Sequence, residues 1–191
     1  MATVIGIAGA LRRSSYNGAL LRAAVELAPA GLRIEVGSIR DVPLYDGDLE
    51  TEQGVPEAVR VLKDRIAGAS GLLLVTPEYN NSIPGVFKNA IDWLARPTSD
   101  IPRVFGGKPV GLMGATLGMG GTMLAHAAWL PVLRALGTQP WFGPRLHVSG
   151  ASKVFDAEGR LIDEKIRASL AKYLVGFAEF VARIGVTAGG G

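Results

Sequence analysis

Cysteine is absent from this chain of 191 residues, and only two histidines occur in it. Without a thiol the chain has no disulfide, no cysteine nucleophile, no iron–sulfur ligand and no cysteine-based zinc site. His126 and His147 lack the sequence spacing of metal ligands, so we expect packed or interfacial roles for them and no bound metal. The missing cysteines, together with no secretory signal at Met1-Ala2-Thr3, favour a reducing cytoplasm.

The signature loops of several common α/β enzymes are missing as well. No Gly-x-x-x-x-Gly-Lys-Ser/Thr loop occurs, which argues against nucleoside triphosphate hydrolysis. Gly6 and Gly9 do not form the Gly-x-Gly-x-x-Gly dinucleotide fingerprint, and the chain has no Gly-x-Ser-x-Gly nucleophile elbow. The net charge of +3 is too small for a nucleic-acid footprint, so we expect no nucleic-acid partner.

Charged residues are missing from positions 109 to 133, a stretch long enough on paper to span a membrane. Glycines interrupt its first half and Pro131 its second, so we predict a buried strand, a glycine loop and an apolar helix, with no membrane partner. The helix, at residues 122–136, is apolar nearly all round. This pattern predicts self-association through the helix, as a dimer or tetramer, with Trp129 in the interface.

Apolar runs alternate with segments of helical period along the chain. The runs predict five strands, which lie at residues 3–9, 32–39, 71–75, 109–115 and 141–148. Five helices separate or follow them. The alternation is typical of an α/β fold with a doubly wound five-stranded parallel sheet, strand order 2-1-3-4-5, and helices on both faces. We expect one domain over residues 1–187 and a flexible glycine-rich tail over residues 188–191.

Polar or glycine-rich loops follow the first, third and fourth predicted strands. The first, at residues 9–18, offers Ser and Asn side chains, Arg12 and Arg13, and a helix N-terminus, which together suit a phosphate. Alone, such residues are more often an ordinary N-cap, at Ser14 or Ser15, with solvated arginines. The loops at residues 76–85 and 116–121 reach the same edge of the sheet, where open α/β folds bind ligands. Their convergence favours a site for a planar ligand that carries a phosphate.

Several segments together resemble the NAD(P)H-dependent FMN reductase family, flavodoxin-like reductases of quinones, chromate and azo dyes. The resemblance rests on Gly9-x-Leu11-Arg12-x-x-Ser15-x-Asn17, Thr76-Pro77-Glu78-Tyr79-Asn80, Pro84-Gly85-x-x-Lys88-Asn89-Ala90-Ile91-Asp92-Trp93 and Gly107-Lys108-Pro109. It covers nearly the whole chain. It implies bound FMN as cofactor, NADPH or NADH as co-substrate, and a small-molecule electron acceptor.

The resemblance also implies which residues hold the cofactor. The first loop would bind the FMN phosphate, the loop after Pro77 would lie along the isoalloxazine, and the glycine loop would touch the ring and ribityl chain. The implied residues are Ala10, Leu11, Arg12, Ser14, Ser15, Tyr16, Asn17, Pro77, Glu78, Tyr79, Asn80, Asn81, Thr116 and Gly118. No catalytic side chain is expected, because the flavin carries the reaction, and Glu78 is expected to position backbone. The chain departs from the family pattern at Ala10, Met123 and Ala125, where Ser, Arg and Gln are common.

By this resemblance the protein is expected to transfer a hydride from NAD(P)H to FMN, and then electrons to a quinone, azo compound, chromate or free flavin, by a ping-pong mechanism. A flavodoxin-type electron carrier without NAD(P)H turnover is an alternative, although flavodoxins are usually acidic and this chain is not. A flavodoxin-like interaction domain with empty loops is a third.

Overall fold

A six-stranded parallel sheet forms the centre of the computed structural model, which describes residues 1–188. Its strands are β1 (Ala2–Ala8), β2 (Leu32–Gly37), β3 (Gly71–Val75), β4 (Pro109–Ala115), β5 (Gln139–Pro140) and β6 (Leu146–Val148). The order is β2-β1-β3-β4-β5, and β6 also pairs with β4. In β1, Val4 pairs with Ile34 on one side and with Gly71 on the other. The predicted strand order is confirmed.

Helices cover both faces of the sheet. They are α1 (Tyr16–Glu26), α2 (Gly47–Gln53), α3 (Glu57–Gly68), α4 (Gly85–Leu94), α5 (Ile101–Val104), α6 (Met123–Ala135), α7 (Ala151–Val154) and α8 (Glu164–Ala188), with a 3₁₀ turn at Thr98–Asp100. The five predicted helices correspond to α1, α3, α4, α6 and α8. Helix α2 gave no sequence signal because none of its residues is buried, so it has no apolar stripe.

Two hydrophobic layers sandwich the sheet, since side chains alternate along each strand. Val4 of β1 packs in the layer beneath α1 and α8, with Leu20 and Phe177. Ile5, its neighbour, packs in the opposite layer beneath α3, α4 and α6, with Trp129. All of β3 is buried, as expected for a parallel strand covered on both faces.

The predicted fifth strand at residues 141–148 is wrong in its bounds. The structure has two short strands, β5 and β6, separated by a loop that contains Gly143 and Pro144. Pro144 has no N–H for the sheet ladder. The Trp141 indole packs so closely on Gly143 that a Cβ there would lie 2.1 Å from the ring. The apolar character of the segment therefore reflects this local packing as well as strand formation.

The predicted interfacial position of Trp129 is also wrong. Trp129 is fully buried in the core, edge-to-face with Phe87 at 4.9 Å between ring centroids. It shares the sheet-facing side of α6 with Ala125 and Leu133, at helical spacing. The opposite side of α6 carries other apolar side chains, which are exposed: Met123, Leu124 and Leu130.

The C-terminal helix α8 continues to Ala188, the first residue of the predicted tail. The rest of that tail, residues 189–191, lies outside the described residues. Within residues 1–188, no helix is long and apolar enough to cross a membrane.

Candidate functional site

A cavity of about 240 Å³ lies at the carboxyl edge of the sheet, between the loops that follow β1, β3 and β4. Its lining residues are Ala10, Arg12, Ser15, Tyr16, Asn17, Pro77, Glu78, Tyr79, Ala115, Thr116 and Leu117. The three loops that the sequence singled out therefore meet around one space. We call this space the FMN cavity, for the cofactor that the sequence resemblance implies.

The lining differs from the predicted site residues in part. Sequence reasoning missed Ala115 and Leu117, because an alanine at a strand end and a leucine in a glycine loop carry no chemical signal. The predicted residues that do not line the cavity are Leu11, Ser14, Asn80, Asn81 and Gly118.

The loop after β1 ends in a helix N-terminus that faces the FMN cavity. Ser15 is the N-cap of α1, and its Oγ accepts hydrogen bonds from the backbone N–H groups of Asn17 at 3.2 Å and Gly18 at 3.3 Å. As a hydroxyl, Ser15 retains a proton to donate, and no described residue accepts it. The partial positive charge of a helix N-terminus favours an anion at this position.

Two arginines lie along the same loop. The Arg12 guanidinium folds over it, and Nη2 donates to the Ser14 carbonyl at 3.3 Å. Arg40, in the segment after β2, donates from Nη2 to the Leu11 carbonyl at 2.5 Å. Sequence reasoning missed Arg40, since this contact between distant segments follows no motif. Arg12 therefore lies on the lining of the FMN cavity, whereas Arg40 holds the loop from outside that lining.

Asn17 has a structural role that its sequence pattern did not reveal. Its Nδ2 donates to the Ala115 carbonyl at 2.8 Å, and its Oδ1 accepts from the Ala115 N–H at 2.9 Å. Both polar ends of this buried amide are thus used. The side chain ties α1 to the end of β4 instead of directing a polar group at a phosphate.

A tight turn shapes the loop after β3. Tyr79 and Ser82 exchange both backbone hydrogen bonds, at 3.1 and 3.0 Å, around Asn80 and Asn81. These two residues have φ values of 48° and 62°. Consecutive left-handed residues are the mark of a type I′ hairpin turn, in which asparagine is favoured. The asparagines therefore form the turn, while Pro77, Glu78 and Tyr79 face the FMN cavity.

Glu78 joins this loop to α6. Its Oε2 accepts hydrogen bonds from the backbone N–H groups of Leu124 at 2.8 Å and Ala125 at 3.0 Å. Thr122, the N-cap residue of α6, forms no side-chain capping bond. Because a carboxylate at a helix N-terminus interacts well with the helix dipole, Glu78 caps α6 from the neighbouring loop. This geometry agrees with the positioning role expected for Glu78.

Glycine is required where the third loop begins. A Cβ at Gly114 would lie 2.1 Å from the Thr76 carbonyl oxygen and 2.5 Å from Thr122 Oγ1. Only glycine permits the end of β4 to pack so closely on the end of β3. The following loop then passes along the cavity at Thr116, whose Oγ1 accepts a long hydrogen bond of 3.4 Å from the Gly118 N–H.

The segment Lys88-Asn89-Ala90-Ile91-Asp92-Trp93 lies on α4, outside the cavity lining. Asn89 Nδ2 and Trp93 Nε1 both donate to the Pro43 carbonyl, at 2.8 and 3.0 Å. They thereby fix the chain just after Arg40. This part of the family motif therefore acts indirectly: it holds the segment that contains Arg40, and Arg40 in turn contacts the first loop.

The two histidines lie next to each other, with ring centroids 4.3 Å apart. Burial, followed by the neighbouring His147, lowers the pKa of His126 to about 3. Burial and then the charge of Arg145 lower the pKa of His147, an effect that Glu78 opposes. His126 is therefore neutral at pH 7. The structure describes no group of three or more metal-binding side chains within residues 1–188.

Comparison with known proteins assigns the family. A family model described as NADPH-dependent FMN reductase matches residues 2–153. The chain belongs to this family. As an FMN reductase it is an oxidoreductase that binds FMN and uses NAD(P)H, as the sequence predicted.

Individual relatives agree with this family over nearly their full lengths. The chain is 41% identical over 181 residues to an NAD(P)H-dependent FMN reductase of Pseudomonas aeruginosa, covering 95% of this chain and 96% of that protein. It is 36% identical over 184 residues to a quinone reductase of Escherichia coli K12, with coverage of 95% and 96%. The solved structure of the flavoenzyme NAD(P)H:(acceptor) oxidoreductase FerB from Paracoccus denitrificans superposes with a TM-score of 0.85 and 34% identity, covering 96% and 98%.

The FMN cavity fits the cofactor in its chemistry. The N-terminus of α1, with the Ser15 hydroxyl and the Arg12 guanidinium, suits a phosphate dianion. Ala10, Pro77 and Leu117 offer apolar surface for a flat ring system. At about 240 Å³ the cavity is smaller than the roughly 300–1,000 Å³ of typical cofactor sites, so part of FMN would remain uncovered.

Proposed function

We propose that this FMN reductase oxidises NADPH or NADH and reduces a quinone, azo compound, chromate or free flavin in two successive half-reactions. The observation that carries the proposal is a helix N-terminus suited to a phosphate, which lies with two further loops around one cavity that is too small to enclose FMN. Bound FMN would supply the redox chemistry, since it can take up the hydride of NAD(P)H and give up two electrons per turnover, which suffices for one quinone or one free flavin, whereas chromate or full azo cleavage needs more than one turnover. The side chains of the protein bind the cofactor and orient it.

The loop residues have separate tasks in this proposal. Arg12 and Ser15 hold the phosphate, and this fixes the distance of the ring from α1. Pro77 and Glu78 fix the position of the loop after β3 relative to the ring, because the Glu78 carboxylate binds the Leu124 N–H of α6. The Asn17 link to β4 keeps the first and third loops at a constant separation.

A shared open face explains why the two substrates would react in turn. Tyr79 and Leu117 border the FMN cavity and expose 51% and 61% of their surface. Such an apolar rim suits a nicotinamide ring and, after its departure, a planar quinone. One face that admits one substrate at a time supports a ping-pong order.

The test combines a half-reaction with steady-state rates. NADPH or NADH, added without oxygen or acceptor, is expected to bleach the flavin absorbance, and a quinone added afterwards is expected to restore it. Double-reciprocal plots at several quinone concentrations should be parallel. Intersecting lines, or a flavin that NAD(P)H leaves coloured, would refute the proposal. The same assay with chromate, an azo dye and free FMN ranks the acceptors by kcat/KM.

Self-association through the 122–136 helix is also part of the proposal. Met123, Leu124 and Leu130 of α6 are exposed. Met119, just before α6, and Phe142, just after β5, are exposed as well. A cavity of about 400 Å³ between α6 and the loop that joins β5 to β6 adds further apolar surface. Exposed apolar area of this kind commonly marks a protein interface.

We further propose a cytoplasmic location. The support is the complete absence of cysteine, which fits a reducing compartment. Cell fractionation with an antibody against the protein tests it, and recovery in the periplasmic or extracellular fraction would contradict it.

A further inference from the structure

An interruption in the sheet opens a cavity of about 400 Å³ against β4. β5 pairs with β4 at Pro109 and Val110, and β6 pairs with it from Met113 onward, so the ladder on this side skips Gly111 and Leu112 within residues 1–188. The cavity lies over Leu112, which is partly exposed although it belongs to the middle of a strand. Helix α6 and the loop between β5 and β6 form the other walls. We call this space the edge cavity.

The edge cavity has the composition of a small-molecule site. Its walls are mainly apolar and include Trp141 and Leu130, and its side chains with an available polar group are His126, His147 and Arg145. Ligand sites commonly combine apolar walls with a few convergent polar groups and span about 300–1,000 Å³. A cavity of about 150 Å³ already holds benzene. The edge cavity is therefore large enough for one substituted aromatic ring.

The two neighbouring histidines present one accessible acceptor. His126 donates a hydrogen bond to the Met113 backbone, and its other nitrogen, Nε2, is buried without a partner, as is His147 Nδ1. A neutral imidazole has one donor and one acceptor nitrogen. Because the rings are adjacent, a proton on His147 Nδ1 would satisfy both buried nitrogens at once. It would leave His147 Nε2, which has no hydrogen bond within residues 1–188 and is not enclosed, as an acceptor.

Arg145 adds a positive charge at the rim of the edge cavity. Its side chain is exposed and forms no ion pair or hydrogen bond with any residue from 1 to 188. It lies close enough to His147 that, after burial, its charge contributes to lowering the pKa of that imidazole. A hydrogen-bond acceptor and a free cation are thus neighbours on an otherwise apolar wall. They fit a ligand that has one hydroxyl donor and one negative charge.

We propose that the edge cavity binds an aromatic acid of one ring with a hydroxyl group, of the hydroxybenzoate class. The ring packs on Trp141 and Leu130, the hydroxyl donates to His147 Nε2, and the carboxylate pairs with Arg145. The edge cavity shares no lining residue with the FMN cavity, so this binding goes beyond the proposed function and does not depend on it. Leu130 also belongs to the exposed side of α6, so a second subunit there would close over the bound ring.

The first test compares three ligands by calorimetry with FMN-loaded protein at pH 7. They are 4-hydroxybenzoate, benzoate, which lacks the hydroxyl, and phenol, which lacks the carboxylate. At this pH the carboxyl group is ionised and the hydroxyl is not. We expect 4-hydroxybenzoate to bind about threefold or more tightly than either of the others, as for one hydrogen bond or charged contact.

Two variants assign the two contacts separately. His147→Phe should abolish the preference for 4-hydroxybenzoate over benzoate and keep the preference over phenol. Arg145→Ala should do the reverse. Arg134→Ala is the matched control, because Arg134 is an exposed arginine of α6 that does not line the edge cavity, and it should keep both preferences.

Three results would overturn the inference. The first is no binding of 4-hydroxybenzoate to the parent protein, as expected if a side chain of a second subunit fills the edge cavity. The second is binding in which His147→Phe and Arg145→Ala both keep both preferences. The third is binding that displaces FMN or shifts the flavin absorbance, since the ligand would then lie in the FMN cavity. Arg145→Ala changes an exposed side chain, so it decides the matter even if His147→Phe does not fold.

Discussion

Arg12 and Arg13 are adjacent in sequence but differ in what their side chains can reach. Arg12 lines the FMN cavity, whereas Arg13 does not. The sequence identified both as candidates for a phosphate because each is a cation in the loop before a helix. The resemblance to the family selects Arg12 and leaves Arg13 out, and the fold likewise places only Arg12 on the lining of the FMN cavity.

Replacement of Arg12 by alanine is expected to weaken FMN binding about ten- to a hundredfold. A charge-assisted contact to phosphate contributes about 1.5 to 3 kcal/mol, which corresponds to this range. Riboflavin lacks the phosphate, so its affinity should change little. Quenching of flavin fluorescence during titration of the apoprotein measures both ligands.

Arg13→Ala is the control, because Arg13 does not line the FMN cavity. It should bind FMN as tightly as the parent protein does. Equal losses for FMN and riboflavin in Arg12→Ala, or a larger loss in Arg13→Ala, would show that the phosphate lies elsewhere.

Glu78 gives a second prediction at the scale of one side chain. Glu78→Ala removes both capping hydrogen bonds to α6 and should cost about 1 kcal/mol of stability, as loss of an N-cap does. FMN binding should weaken about fivefold, because the loop along the ring loses its attachment. Thermal denaturation of the apoprotein and FMN titration measure the two effects.

Glu78→Gln separates hydrogen bonding from charge. Its amide oxygen can accept both backbone N–H groups, so most of the loss should be recovered, apart from a few tenths of a kcal/mol from the helix dipole. If Glu78→Ala melts at the same temperature as the parent protein, the cap contributes nothing.

Among the elements, those with a regular apolar pattern were predictable from sequence. The fully buried strand β3 and the striped helix α8 were identified because burial imposes a period on the sequence. Helix α2 was missed because it buries no residue. The strand predicted at residues 141–148 was misplaced, since Pro144 has no N–H for the ladder and the Trp141 ring packs on Tyr173 and Phe177 of α8.

The 3₁₀ turn at Thr98–Asp100 is joined to α3 by an ion pair with one nearly buried partner. Lys63 Nζ lies 2.7 Å from Asp100 and also donates to the Arg96 carbonyl. Asp100→Asn should cost about 1 to 3 kcal/mol, because the buried ammonium loses its counter-charge. Urea unfolding at pH 7 measures the loss. Asp64→Asn is the control, since its exposed pairs with Arg60 and Arg103 are worth little.

The same pair predicts a dependence on pH. Hydrogen bonds from Arg103 and then Lys63 lower the pKa of Asp100 to about 2. In the unfolded chain an aspartate has a pKa of about 3.9, so this carboxylate stabilises the fold fully above that pH. Its contribution is lost as the pH falls toward 2. The stability difference between the parent protein and Asp100→Asn should be constant from pH 7 to 5 and smaller at pH 3; a difference that persists at pH 3 would contradict this.

At the scale of the whole molecule, the exposed side of α6 leads to a test of assembly. Leu130→Glu is expected to reduce the mass measured by size-exclusion chromatography with light scattering, because a charge would be desolvated in the proposed interface. The far-ultraviolet circular dichroism should not change. Val175→Glu alters an apolar residue of α8 that is slightly more exposed than Leu130, and it should leave the mass unchanged.

Trp129→Glu should have a different effect from Leu130→Glu, since Trp129 is buried in the core of one chain. It is expected to unfold the protein rather than dissociate an oligomer. A folded Trp129→Glu protein, or a Leu130→Glu protein with the parent mass, would show that α6 is oriented or used differently.

The site residues that could be predicted from the sequence are those that form a recognisable chemical pattern within one continuous segment. The polar loops and the helix N-terminus at Ser15 were visible because each lies within one continuous segment. Arg40 on the Leu11 carbonyl, and His126 beside His147, depend on segments that only the folded chain brings together.

The buried amide of Asn17 has a kinetic consequence for the apoprotein. Because this amide clamps the first and third loops through Ala115, both loops keep their separation without the cofactor. FMN then enters a preorganised receptor, and little of its binding energy is spent on ordering the chain. Association should be close to second-order, with no slow unimolecular phase. In native-state hydrogen exchange, the Ala115 amide should stay as protected in the apoprotein as in the holoprotein.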